Sequence, residues 1–195
     1  MGQHIVIIQG HPDGSAPHFC HALADAYAQG AEEAGHTVER VDVAHIDFPL
    51  LRSQQDWEHG VLPEALLPAQ RAIGRAQHIV VIFPLWLGDM PALLKGFLEQ
   101  VARPGFAFAG EGANPFAHKA LAGRSARIVV TMGMPAALYR FYFQAHSVRS
   151  LERNILGFVG VAPVRHTLIG MAGAMANADT VKWLDRMHRL GARGA

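Results

Sequence analysis

Uninterrupted apolar runs organise the chain. Residues 5–8 read Ile5-Val6-Ile7-Ile8 and residues 79–83 read Ile79-Val80-Val81-Ile82-Phe83. Neither alternates with polar positions, the pattern of a strand buried on both faces. Residues 127–131 are of the same kind, and residues 164–169 give a last strand. Residues 37–43 instead alternate Val38, Val41 and Val43 with polar side chains, which predicts a more exposed strand. Helical spacing fills the intervals. Residues 19–34 carry Leu23 and Tyr27 four apart and stop at Gly35; residues 63–77, 92–101, 147–158 and 180–190 read as further helices, the second of these opened by Pro91 at a first-turn position. Residues 44–62 and 104–123 show no period.

Strands alternating with helices at this spacing call for a parallel sheet covered on both faces. Right-handed crossovers leave few topologies for five strands. The expectation is one α/β domain over residues 1–195: a three-layer, doubly wound, five-stranded parallel sheet in the order 2-1-3-4-5, which is the flavodoxin-like arrangement.

Composition narrows the function classes. The chain has 195 residues, half of them hydrophobic and 17% charged, enough apolar material for a core without staples. The 17 basic and 16 acidic residues nearly cancel, and no Lys/Arg run occurs, so neither nucleic acid nor an anionic membrane is an expected partner. One cysteine, Cys20, forms no internal disulfide and fits a reducing, cytoplasmic setting. The start lacks a basic n-region, and no apolar stretch approaches the roughly 20 residues of a membrane-spanning helix. Twelve histidines invite a metal reading, but His18 and His21 have no third ligand nearby in sequence and no H-E-x-x-H is present, so no metal is expected.

In an open parallel sheet, ligands bind beyond the carboxyl ends of the strands, where strand order switches. That rule selects three loops. The first, Gly10-His11-Pro12-Asp13-Gly14-Ser15-Ala16-Pro17-His18, lies between a buried strand and a helix start, where free amides and the helix dipole favour a phosphate. It also reads as an ordinary turn that uses Gly10 and Gly14 for geometry. The second, Pro84-Leu85-Trp86-Leu87-Gly88-Asp89-Met90-Pro91, puts apolar surface where polar residues are usual; it suits a flat ring system, or a tryptophan that caps the core. The third runs from Thr131-Met132-Gly133-Met134-Pro135 to Tyr139 and His146. Gly133 permits close backbone approach, while a phenol and an imidazole are groups that stabilise a transient anion. Its aromatic cluster, residues 139–143, equally suits a core or a dimer interface.

Together these segments resemble the NAD(P)H:quinone oxidoreductase family, flavoproteins of flavodoxin-like fold. The most specific pieces are Phe83-Pro84-Leu85-Trp86, then Pro91-Ala92-Leu93-Leu94-Lys95-Gly96-Phe97, then Pro104-Gly105-Phe106-Ala107-Phe108, which are similar to the family's blocks in the same order. His11-Pro12, Leu121-Ala122-Gly123-Arg124 and Thr131-Met132-Gly133 fall where the family has its counterparts.

The resemblance implies a tightly bound FMN or FAD, reduced by NADPH or NADH and reoxidised by a quinone-like acceptor. Carried over by position, His11, His18, Phe19 and Cys20 would lie along the phosphate tail. Pro84, Leu85, Trp86 and Leu87 would pack the ring edge, with Thr131, Met132 and Gly133 at its pyrimidine end. Tyr139 and His146 resemble the family's Tyr/His pair, which would offset charge on the reduced ring. A homodimer sharing the site is implied as well. The sequence departs from the family at His18-Phe19-Cys20, where S-F-N is common, and in a phosphate loop about two residues longer. Related proteins act as ancillary subunits of a potassium-efflux system, which is the alternative reading. Simple electron-carrier flavodoxins are markedly acidic, and this chain is not.

Overall fold

The computed structural model describes residues 2–107 and 119–195. Five strands, β1 (His4–Gln9), β2 (Thr37–Asp42), β3 (His78–Pro84), β4 (Ser125–Thr131) and β5 (Val164–Ile169), form one sheet in the order β2-β1-β3-β4-β5. Every pairing is parallel, so the expected topology is borne out. All seven residues of β3 are buried, as a central strand covered on both sides requires.

Alternate residues feed two cores. Val6, Ile8, Val81, Phe83, Ile128 and Val130 face one way, against α3 (Leu67–Arg75) and α4 (Ala92–Val101). Ile5, Ile7, Val80, Ile82 and Val129 face the other way, against α1 (Phe19–Glu33) and α7 (Asn177–Ala192). The period-2 alternation of a strand is what separates these two sets.

Three expectations need correction. The supposedly irregular residues 44–62 contain a short helix, α2 (Gln54–His59), capped by Ser53, whose Oγ accepts from the Asp56 N–H at 3.1 Å. A second short helix, α5 (Ala136–Phe141), follows β4 unannounced. The single helix expected over residues 147–158 is instead α6 (His146–Ser150) continued by a π-helical turn, Leu151–Leu156. In residues 104–123, Phe106 packs on the core, whereas Phe108 lies outside the described residues. No helix among the described residues is long and apolar enough to cross a membrane.

Candidate active site

Strand order reverses between β1 and β3, so the first β–α loop and the loop after β3 diverge from neighbouring strand ends and leave a crevice between them. Gly10 is fixed here by packing: a Cβ on it would stand 2.6 Å from Leu94 of α4. Beyond it the loop is held by its own polar groups. Asp13 accepts from the Ser15 N–H at 2.8 Å and the Ser15 hydroxyl at 2.6 Å, and its other oxygen meets His18 Nε2 at 2.8 Å. Those contacts, the serine's first, hold the Asp13 carboxyl far below the usual carboxylate range.

Three imidazoles gather beside this turn. His11 and His18 stack at 3.8 Å between ring centres, and His21 lies 5.6 Å from each. His11 is 7% exposed, and burial followed by the neighbouring His18 pushes its pKa down, so the ring is neutral. Its Nδ1 accepts from the Asp13 N–H, and His21 Nδ1 accepts from the His18 N–H. With its Nδ1 accepting, the neutral His11 ring carries its proton on Nε2, and the same tautomer in His21 leaves an Nε2–H free to donate. The first amides of α1, Phe19 and Cys20, have no acceptor within their own helix. Two imidazole N–H groups and a helix start thus form a donor set. His21 is a member that the sequence reading weighed only as a metal ligand.

Trp86 meets this cluster edge-on, 5.8 Å from the His11 ring centre. It opens a tight turn in which the Trp86 and Asp89 backbones exchange hydrogen bonds at 2.9 and 3.0 Å. Both central residues are left-handed, Leu87 at φ 49° and Gly88 at φ 82°, the geometry of a type I′ turn. Trp86 is 51% exposed and Leu87 wholly so, so the tryptophan does not cap the core. An apolar shelf stands beside polar donors.

The rim of β4 closes the third side. Thr131 is buried; its carbonyl accepts from Leu85 N–H at 2.7 Å and its hydroxyl lies 3.2 Å from Cys20 Sγ. Burial pushes the Cys20 thiol up to about 11, so Cys20 offers the crevice its amide rather than a thiolate. Pro84 is likewise buried and Leu85 half-buried. Met132 is buried, whereas Gly133 is exposed and a Cβ there would meet nothing within 4 Å. Open space above a glycine backbone is what a flat ligand needs.

Tyr139 and His146 sit differently. The Tyr139 side chain is buried, and its hydroxyl accepts from Val148 N–H at 3.4 Å. Burial raises its pKa, with the Asp89 carboxylate a smaller contribution in the same direction, so the phenol keeps its proton. His146 is exposed at the start of α6, directly after Gln144 and Ala145, which are both left-handed. Asp89 ties the two regions together, accepting from the Ser147 hydroxyl and from Met90 N–H. Of the four non-glycine left-handed residues among the described ones, Leu87 and Met171 follow the carboxyl ends of β3 and β5, and Gln144 and Ala145 join α5 to α6. Backbone strain of this kind concentrates at functional sites.

Comparison with known proteins identifies the family. Residues 3–190 match the family model described as Flavodoxin-like fold. A Haemophilus influenzae protein named as an uncharacterized NAD(P)H oxidoreductase is 28% identical over 169 residues, covering 85% of this chain and 82% of its own. The structure of an NAD(P)H:quinone oxidoreductase from Methanothermobacter marburgensis superposes with a TM-score of 0.80 at 26% identity, covering 99% of this chain and 97% of that one. A shorter match of 77 residues at 40% identity, 38% of each chain, links it to the glutathione-regulated potassium-efflux system ancillary protein KefG of Escherichia coli. With a parallel sheet in this order and a family match over nearly the whole length, the chain belongs to the flavodoxin-like fold family.

Proposed function

We propose that this protein is a flavin-dependent NAD(P)H oxidoreductase that passes a hydride to a quinone or another flat acceptor. The observation that carries the reading is the gathering, at the carboxyl ends of β1, β3 and β4, of the His11 and His21 donors, the exposed Trp86 shelf and the open backbone at Gly133. A phosphorylated tail needs the first, and a planar ring needs the other two.

The residues fit FMN or FAD. His11 and His21 through Nε2–H, with the amides of Phe19 and Cys20, would hold phosphate. His18 stacks on His11 and is braced by Asp13, so it orients the donors. Trp86 and Leu87 would cover the ring edge and exclude water; Pro84, Leu85, Thr131 and Met132 supply the floor beneath them. The bound flavin would supply hydride acceptance and donation, chemistry that no side chain provides. Tyr139 holds its proton at Oη, and His146 offers an imidazole to solvent, so the pair can neutralise a developing negative charge. The apolar surface of Trp86 and Leu87 suits a reaction in which NADPH or NADH and the acceptor stack in turn on one face. The resemblance also implies a homodimer.

A second reading is favoured by the KefG match: a flavin-binding ancillary subunit of a potassium-efflux system, with little turnover of its own. The purified protein separates the two. The expected result is a yellow protein, bleached by NADPH and recoloured by a quinone, from which Trp86→Ala loses flavin on dialysis. A colourless protein that takes up no added flavin overturns both readings. Flavin binding with negligible quinone reduction and co-purification with a transporter selects the second.

A further inference from the structure

β5 has a neighbour on one side only, and along its free edge runs a groove of about 650 Å³. Helices α5, α6 and α7, with the π-helical turn, wall it in. That volume is the size of a small-molecule site. Four arginines line it: Arg140 from α5, Arg149 from α6, Arg153 from the π-helical turn and Arg186 from α7. The acidic residue among them, Glu152, is engaged by His166 of β5 at 3.1 Å. Four guanidinium groups against the one carboxylate give the lining an excess of three positive charges.

What sets the four apart is that they share one concavity. Arg40, Arg75 and Arg103 each lie beside a carboxylate, of Asp25, Glu39 and Asp56 respectively. Among the described residues none of the four groove arginines has an acidic partner. Two lie against aromatic rings instead: Arg186 is 5.0 Å from the Trp183 ring centre and Arg140 is 5.8 Å from that of Phe141, and both rings line the groove. Like charges gathered in a concavity repel one another, and an anion relieves that repulsion. Guanidinium forks match phosphate, and flat guanidinium–aromatic pairs match a base. The groove also reaches α5, which follows directly on the Gly133 loop.

We infer that this groove binds a purine nucleotide carrying two phosphates, with Arg149 and Arg153 on the phosphates and the Trp183–Arg186 pair against the base. Two sources share that chemistry. One is the adenosine diphosphate arm of the nicotinamide donor, reaching out of the crevice, an assignment that rests on the proposed function. The other is a free adenine nucleotide.

Titration calorimetry of the flavin-loaded protein with ADP at low salt tests the site without relying on turnover. Saturable one-to-one binding is expected, weakening as salt is raised. The double variant Arg149→Ala with Arg153→Ala should bind ADP about tenfold or more weakly, as loss of charge-assisted contacts implies. Its flavin absorbance should be unchanged, because neither residue belongs to the crevice. Competition between ADP and NADPH assigns the site to the donor's arm, and independent binding assigns it to a free nucleotide; either supports the inference. It is overturned by absence of saturable ADP binding, by equal affinity in the double variant, or by saturable binding of polyglutamate where ADP has none. A protein that binds ADP yet is not reduced by NADPH would sink the proposed reaction and leave the groove assignment standing.

Discussion

His78 shows how one side chain ties the fold to pH. It heads β3, is 1% exposed, and its Nδ1 lies 2.7 Å from the Ser125 hydroxyl across the β3–β4 pair. Burial, and then the charge of Arg127, push its pKa from 6.5 to about 4. The unfolded chain therefore takes up this proton at a higher pH than the native one. Above about pH 6.5 both states are neutral here and the group has no effect. As pH falls from about 6.5 to about 4 the unfolded state is increasingly favoured, and below that the loss levels off. A displacement of this size corresponds to about 3 kcal/mol. His11, also pushed down by burial, acts in the same direction. Urea unfolding at about pH 7 and about pH 4.5 should show wild type losing about 2 to 3 kcal/mol more than His78→Gln, which has no titrating ring. Equal pH slopes in the two proteins would show that His78 is not buried in its neutral form.

At the scale of elements, α1 and α7 pack closely enough for backbone to touch backbone. A Cβ on Gly30 would lie 2.0 Å from the His188 carbonyl oxygen, and one on Gly191 would lie 1.9 Å from that of Tyr27. Glycine is a poor helix former, and here close approach compensates for the propensity lost. Gly191→Ala should lower stability by about 1 to 3 kcal/mol through overpacking. Gly74→Ala in α3 is the control: its Cβ would find Phe106 at 3.4 Å, an ordinary contact, so the helix should hold or gain slightly. Thermal midpoints of the two variants should move apart; parallel shifts would refute the close contact. The strands were legible because a run such as Ile79-Val80-Val81-Ile82-Phe83 admits few other readings at that length. The start of α2 is legible too: Ser53 and Asp56 carry the S-x-x-D spacing of a helix cap. The break from α6 into a π-helical turn was not legible, since one extra residue per turn scarcely alters apolar spacing over so short a stretch. The three site loops announced themselves through glycine, proline and a misplaced tryptophan. The Asp89–Ser147 tie and the arginine groove join residues far apart in sequence, and only the crossover geometry brings them together.

For the molecule as a whole, the distribution of exposed apolar side chains is uneven. Trp86 and Leu87 project beyond β3, while Leu138, Phe141, Tyr142 and Phe143 project from α5 and the residues that follow it. Phe141 and Tyr142 are each about three-quarters exposed, at 76% and 75%. The hydrogen bond from Ser147 to Asp89 draws the two segments toward each other. Exposed apolar side chains gathered in one region mark a binding site or an interface. The flavin would cover the Trp86 shelf but has no call on Phe141 or Tyr142, so a second copy of the chain is the expected cover for them. Sedimentation velocity should then give a dimer that dissociates in the double variant Phe141→Ser with Tyr142→Ser. A site shared between subunits predicts more: the monomeric variant should release flavin faster than wild type although Trp86 is intact. Dissociation with flavin retained would mean that each subunit holds its cofactor alone. Wild type sedimenting as a monomer at every concentration would leave the aromatic surface to a different partner, and the ancillary-subunit reading would gain at the expense of the dimeric enzyme.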